Sequence, residues 1–173
     1  LIGLGVQKGD RVTLYLPMIP EATMAMLACA RIGAVHSVVF GGFAAHNLAL
    51  RIDDAQPKLL IAADAGSRGG KVIPYKPLVD EACAKAATPP ARVLIVSRGL
   101  DAAEPKVAGR DEDYATLRAA VGDAEVPVEW LESNEPSYLL YTSGTTGKPK
   151  GVQRDVGGYA VAMALSMRTV FDV

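Results

Sequence analysis

The sequence has almost no excess charge of either sign. Among its 173 residues, 18 Lys and Arg nearly cancel 19 Asp and Glu, leaving a formal net charge of −1. That excludes the broad positive field on which non-specific binding to nucleic acid or to anionic membranes depends. Cysteine is scarce as well: Cys29 and Cys83 form no Cys-x-x-Cys pair and no Cys/His cluster. This argues against a zinc site or a disulfide framework and fits a reducing compartment. No apolar run reaches about 18 residues without a charge, so no membrane span is expected. The start, Leu1-Ile2-Gly3, shows neither the basic region nor the small-residue cleavage site of a secretory leader. Internal repeats and low-complexity tracts are lacking. The expectation is a globular, cytoplasmic chain, half hydrophobic and 21% charged, of a length that suits one domain or part of a larger one. Leu1 in place of Met, and an end at Phe171-Asp172-Val173 with no helix stop signal, read as an internal slice of a longer protein.

Apolar runs alternate with helical patterns. Strands are expected at Arg11–Leu16, Val35–Phe40, Lys58–Ala62 and Arg92–Val96, each short and rich in aliphatic residues. Helices are expected at Glu21–Ile32, opened by Pro20 and closed by Gly33, at Ala44–Asp54, and at Pro77–Ala86. Asp64–Lys71 (DAGSRGGK) reads as a glycine-rich loop. Strand–helix alternation with short connections implies an α/β fold, a parallel or mixed sheet flanked by helices on both faces. Ser97–Pro127 is charged and reads as a surface excursion carrying one short helix, Tyr114–Val121. Order resumes in a strand at Tyr138–Tyr141, and a second strand is expected at Gly151–Arg154.

Between those two strands lies Thr142-Ser143-Gly144-Thr145-Thr146-Gly147-Lys148-Pro149-Lys150-Gly151, with three glycines, four hydroxyl residues and two lysines. Glycines let successive N–H groups turn towards one anion, hydroxyls add donors, and lysines add mobile positive charge. It is not a Walker loop: Thr142 stands five residues before Gly147, and Pro149 follows Lys148 where a magnesium-binding Ser or Thr is needed. Pro149 also blocks immediate helix formation. On composition alone, an ordinary flexible hairpin loop is the alternative.

YTSGTTGKPKG resembles the phosphate-binding signature of the AMP-forming acyl-CoA synthetases, in the adenylate-forming enzyme superfamily. PMIPEATMAMLACARIGAVHSVVFGGF, ADAGSRGGK and GGYAVAMALSMRTVFD also resemble stretches of acetyl-CoA and propionyl-CoA synthetases. GVQRDVGGYAVAM looks more like the propionyl group, because acetyl-CoA synthetases more often carry a histidine and threonines in place of Arg154-Asp155-Val156. The resemblance implies that residues 1–173 are part of the large N-terminal AMP-binding (adenylation) domain, with the start of that domain and the whole C-terminal domain outside this sequence. It implies ATP, Mg2+, a short-chain carboxylate and coenzyme A as substrates and cofactors. Thr142, Ser143, Gly144, Thr145, Thr146 and Gly147 would hold the β- and γ-phosphates, and Lys148 and Lys150 would add charge. Arg68 matches the first arginine of an R-x-x-R loop that contacts the 3′-phosphate of coenzyme A. Lys71 replaces the second, keeping the charge without the bidentate fork. Phe40, Gly41, Gly42 and Ile73 match positions that pack around the coenzyme A nucleotide. The adenylation lysine, the magnesium-coordinating glutamate, the ribose-holding acidic residue and the acyl pocket would lie downstream of Val173, so no catalytic residue and no metal ligand is expected here. A stand-alone nucleotide-binding or interaction module without catalysis is the alternative.

Other conspicuous residues have plain readings. His36 is expected to be a satisfied core histidine and His46 to lie on a polar helix face. Cys29 and Cys83 read as small buried hydrophobes, and Glu132 and Glu135 as surface charges. Met18, Met24, Met26, Met163 and Met167 are expected to pack in the core, with Trp130 as a packing anchor.

Overall fold

In the computed structural model, residues 1–100, 106–143 and 149–173 are described. After a short 3-10 turn the elements run β1 (Arg11–Leu16), α1 (Pro20–Arg31), β2 (Val35–Phe40), α2 (Ala45–Ala55) and β3 (Leu59–Ala63). There follow β4 (Ala65–Arg68), β5 (Lys71–Pro74), α3 (Lys76–Lys85), β6 (Arg92–Val96), β7 (Asp111–Asp113) and α4 (Tyr114–Val121). The chain ends with β8 (Pro136–Ser143), β9 (Pro149–Asp155) and α5 (Val156–Thr169). Seven strands form one sheet in the order β7-β6-β3-β1-β2-β8-β9. All neighbours are parallel except β9, which runs antiparallel to β8.

The central strands are buried on both faces because helices cover both: β1 reads Val12 to Leu16 without an exposed residue, and β3 is buried throughout. Helix α1 joins β1 to β2, whereas α2 and α3 pack together. Right-handed crossovers in opposite directions from β1 put α1 on one face and α2 with α3 on the other. Because β1 has β2 on one side and β3 on the other, the chain reverses its travel across the sheet there. In such sheets ligands bind outside the carboxyl ends of the strands near that reversal.

Four sequence expectations change. The glycine-rich segment Asp64–Lys71 is a β-hairpin rather than a loop: Ala65–Arg68 pairs antiparallel with Lys71–Pro74. Gly69 and Gly70, at φ 57° and 75°, make the turn, and two successive positive φ angles are what a two-residue hairpin turn needs. The charged excursion also contributes β7 to the sheet edge. Its charges are not merely solvated: Lys76 Nζ lies 2.6 Å from Asp80 and 3.1 Å from Asp111, with the Lys76 and Asp111 side chains 3% and 0% exposed. Arg110 closes the cluster by pairing with both aspartates. Buried charges persist when each is paired and hydrogen-bonded, and this cluster ties the excursion to α3. Met18, Met24, Met163, Met167 and Trp130 are exposed rather than packed, Trp130 by 88%, while Met26 does pack against the core. His36 stacks on Tyr138 with ring centroids 5.5 Å apart, yet its buried Nδ1 has no hydrogen-bond partner.

Candidate ligand sites at the carboxyl edge of the sheet

The described residues of three segments singled out in the sequence sit at the same edge of the sheet, each at the end of a parallel strand. Phe40-Gly41-Gly42 ends β2, the β4–β5 hairpin follows β3, and Thr142-Ser143, the described start of the third segment, ends β8. The edge is the one at which doubly wound sheets receive ligands.

The first two segments meet around Tyr75, a residue the sequence reading passed over. A Cβ on Gly41 would lie 2.7 Å from the Tyr75 hydroxyl and 3.0 Å from the Leu16 carbonyl oxygen, and a Cβ on Gly66 would clash with the same phenol. The two glycines are therefore required by the Tyr75 ring that packs over them. Tyr75 lies 5.1 Å, centroid to centroid, from Tyr15. The Tyr15 hydroxyl donates to the Phe43 carbonyl at 2.7 Å and accepts from the Gly42 N–H at 3.2 Å. Burial pushes the Tyr15 phenol up to about 12, so it stays a donor at neutral pH. It thereby fixes the Gly41–Phe43 turn, in which Gly42 has φ 93°. Burial raises the Tyr75 phenol too, opposed by the charges of Arg98 and Arg68.

Asp64 roots the hairpin. One carboxylate oxygen accepts from the Ala65 N–H at 2.7 Å, and the carboxylate also accepts from the Arg98 N–H at 2.9 Å and the Ser97 hydroxyl at 3.0 Å. Its carbonyl accepts from the N–H groups of Tyr75 and Lys76. The end of β6 is thus stapled to both hairpin strands. Arg68 and Lys71 are cross-strand partners flanking the turn, and Ile73 pairs with Gly66. Alternation along the strands puts Arg68, Lys71 and Ile73 on one face of the hairpin, with Arg68 and Lys71 exposed and Ile73 half-buried. Phe40 is 59% exposed beside Phe43, at 5.6 Å between centroids. An exposed arginine and lysine on the same hairpin face as Ile73 can receive a phosphorylated nucleotide.

The third segment is described at its stem. Thr142 pairs with Lys150 and Ser143 with Pro149, so the hairpin expected between two strands is present. Thr142 and Lys150 are both exposed. Gly144, Thr145, Thr146, Gly147 and Lys148, with the Ser143 side chain, lie outside the described residues. One pair below, Tyr141 faces Gly151, and alternation turns Tyr141 to the sheet face opposite Thr142. There its hydroxyl donates to Asp54 Oδ2 of α2 at 2.6 Å. The Arg51 guanidinium lies 5.4 Å from the Tyr141 ring centroid and 5.0 Å from that of Phe43. Burial holds Tyr141 well above the ordinary phenol range, helped by Asp54, while it lowers Arg51. Arg154 and Asp155, part of the propionyl-like stretch, close β9, and Asp155 caps α5 by accepting from the Gly158 N–H.

Among the described residues no three His, Cys, Asp or Glu side chains gather into a metal-binding cluster. No helix there is long and apolar enough to cross a membrane. Cys29 is buried and free, its thiol pushed up to about 12 by burial, which leaves it unreactive.

The chain matches known proteins along its whole length. The family model for AMP-binding enzymes matches residues 1–173. Propionate–CoA ligase of Salmonella typhimurium is 66% identical over 99% of this chain, and acetyl-coenzyme A synthetase of Marinomonas sp. is 50% identical over 98%. The acetoacetyl-CoA synthetase structure from Streptomyces lividans superposes with a TM-score of 0.88 at 33% identity, covering all of this chain. The chain spans about a quarter of each: 27% of the ligase, 26% of the acetyl-coenzyme A synthetase and 26% of the solved chain. With a fold and a sequence that match from end to end, the chain belongs to the AMP-binding enzyme family.

Proposed function

We propose that this chain is part of a short-chain acyl-CoA synthetase, with propionate the favoured acid and acetate next. The observation that carries the reading is the 66% identity to a propionate–CoA ligase over 99% of the chain. In the reaction proposed, a carboxylate oxygen attacks the α-phosphorus of ATP. The bond from that phosphorus to the bridging oxygen breaks, and pyrophosphate leaves. The thiol of coenzyme A then attacks the acyl carbon, AMP leaves with the electron pair, and the thiol proton passes to solvent. Most of the barrier reduction in phosphoryl chemistry of this kind comes from positioning and charge stabilisation.

Thr142, Ser143, Gly144, Thr145, Thr146 and Gly147 would hold the β- and γ-phosphates, with Lys148 and Lys150 supplying charge. Arg68 and Lys71 would meet the 3′-phosphate of coenzyme A, and Phe40, Gly41, Gly42 and Ile73 would pack against its nucleotide. Mg2+ would accompany ATP, its ligands supplied from outside the described residues. The two substrates separate in kinetics. Arg68→Ala in the full-length protein is expected to raise KM for coenzyme A about tenfold, as losing one charge-assisted bond does, and KM for ATP much less. Equal shifts in both would remove Arg68 from the coenzyme A site.

A further inference from the structure

The two candidate sites share one buried side chain. Arg51 on α2 is 8% exposed, and its guanidinium stands near two aromatic rings from different parts of the edge. Phe43, at 5.0 Å, belongs to the glycine turn that Tyr15 pins; Tyr141, at 5.4 Å, belongs to the stem of the Thr142–Lys150 segment. Arg51 Nη1 donates to the Asn47 carbonyl at 2.7 Å, which orients it from its own helix. Three residues on, Asp54 takes the Tyr141 hydroxyl at 2.6 Å, and residues three apart share a helix face. Gly151, opposite Tyr141, leaves room for this contact: a Cβ there would lie 3.2 Å from both Asp54 Oδ2 and the Tyr141 ring. A charge so buried, held among the described residues by ring faces and one carbonyl, needs a reason to be an arginine, since a methionine would fill the volume without desolvating a cation.

We propose that Arg51 is a positioning residue that sets the phosphate-loop stem and the coenzyme A turn in one register, through Tyr141 and Phe43, with Asp54 fixing the stem strand. This rests on the ligase reading for the identity of the two ligands. Neither Arg51 nor Asp54 touches substrate; each acts on the strand or turn that does.

The test uses the full-length protein and separates three contacts. In Arg51→Met, KM for ATP in pyrophosphate exchange and KM for coenzyme A in thioester formation both rise about three- to tenfold, the range a desolvated cation–ring contact supports. Arg51→Lys, which keeps the cation but not the plane, falls between. Tyr141→Phe keeps the ring and loses the Asp54 bond, so it raises KM for ATP more than KM for coenzyme A. Phe43→Leu shows the reverse bias. A role confined to folding lowers the yield of active protein and leaves both KM values in place. Values within twofold of wild type in Arg51→Met overturn the proposal, as does a shift in one KM alone. If the wild type shows no exchange, the ligase reading falls by itself, and the positioning claim is judged by trypsin. Cleavage after Lys150 then runs several-fold faster in Arg51→Met if Arg51 holds the stem, and an equal rate overturns it.

Discussion

At the scale of single residues, the edge is built by side chains that leave no room for alternatives. Tyr75 occupies the space a Cβ at Gly41 or Gly66 would take. Gly41→Ala is expected to lower stability by about 1–3 kcal/mol, the usual penalty for overpacking, and to displace the turn. An unchanged denaturation midpoint would show that the Tyr75 ring can swing aside. His36 gives a pH signature. Burial lowers its pKa below the ordinary 6.5, so below pH 6.5 the unfolded chain binds the proton more readily than the folded one. The stability it contributes is present above 6.5 and lost as pH falls from there through the lowered value of the folded state. The thermal midpoint of the full-length protein should drop between pH 7.5 and about 5.5, and drop less in His36→Phe, which keeps a ring to stack on Tyr138 but cannot take a proton. An identical pH dependence in both proteins would place the effect elsewhere.

At the scale of elements, what was legible in the sequence was whatever had a period or a boundary. The runs at Arg11–Leu16 and Arg92–Val96 marked parallel strands buried on both faces, Val35–Phe40 was marked by its β-branched residues although only one of its faces is buried, and Pro20 and Gly33 bracketed α1. The β4–β5 hairpin was missed because Gly69-Gly70 read as loop composition, whereas two positive φ angles make it a turn between strands. Strand β7, Asp-Glu-Asp, has no apolar residue to announce it; only the register against β6 and the buried Lys76–Asp111 pair reveal it. Three candidate segments could be picked out in the sequence, but not the residues joining them. Tyr75, Asp64, Arg51 and Asp54 act through contacts across the sheet that no local pattern encodes. Two buried hydroxyls offer an element-level test. Thr13 on β1 and Ser37 on β2 are register partners at the sheet centre, and neither Oγ has a hydrogen-bond partner. Thr13→Val removes an unsatisfied group at nearly constant shape, so it should stabilise by about 1 kcal/mol. A loss of that size in chemical denaturation would mean the hydroxyl is satisfied in solution.

At the scale of the molecule, the chain carries apolar surface that it does not cover. Val161, Leu165, Val170 and Phe171 on and after α5 are 60–72% exposed, and Met24 and Leu27 on α1 are 56% and 65% exposed. Curated relatives are nearly four times longer than this chain, and apolar patches of this kind mark contact surfaces. Residues 1–173 expressed alone are therefore expected to form no acyl-CoA from ATP, propionate and coenzyme A. Thioester from that piece would show that the chemistry needs nothing beyond it. The central claim is tested most directly by carboxylate-dependent ATP–pyrophosphate exchange on the full-length protein, with acetate, propionate and butyrate compared. Exchange that peaks with propionate is the predicted result, and a peak with acetate keeps the chemistry while moving the acid preference. Absence of exchange with every acid, in a folded full-length protein, would contradict the account and make the Thr142–Lys150 segment a nucleotide-binding element without catalysis.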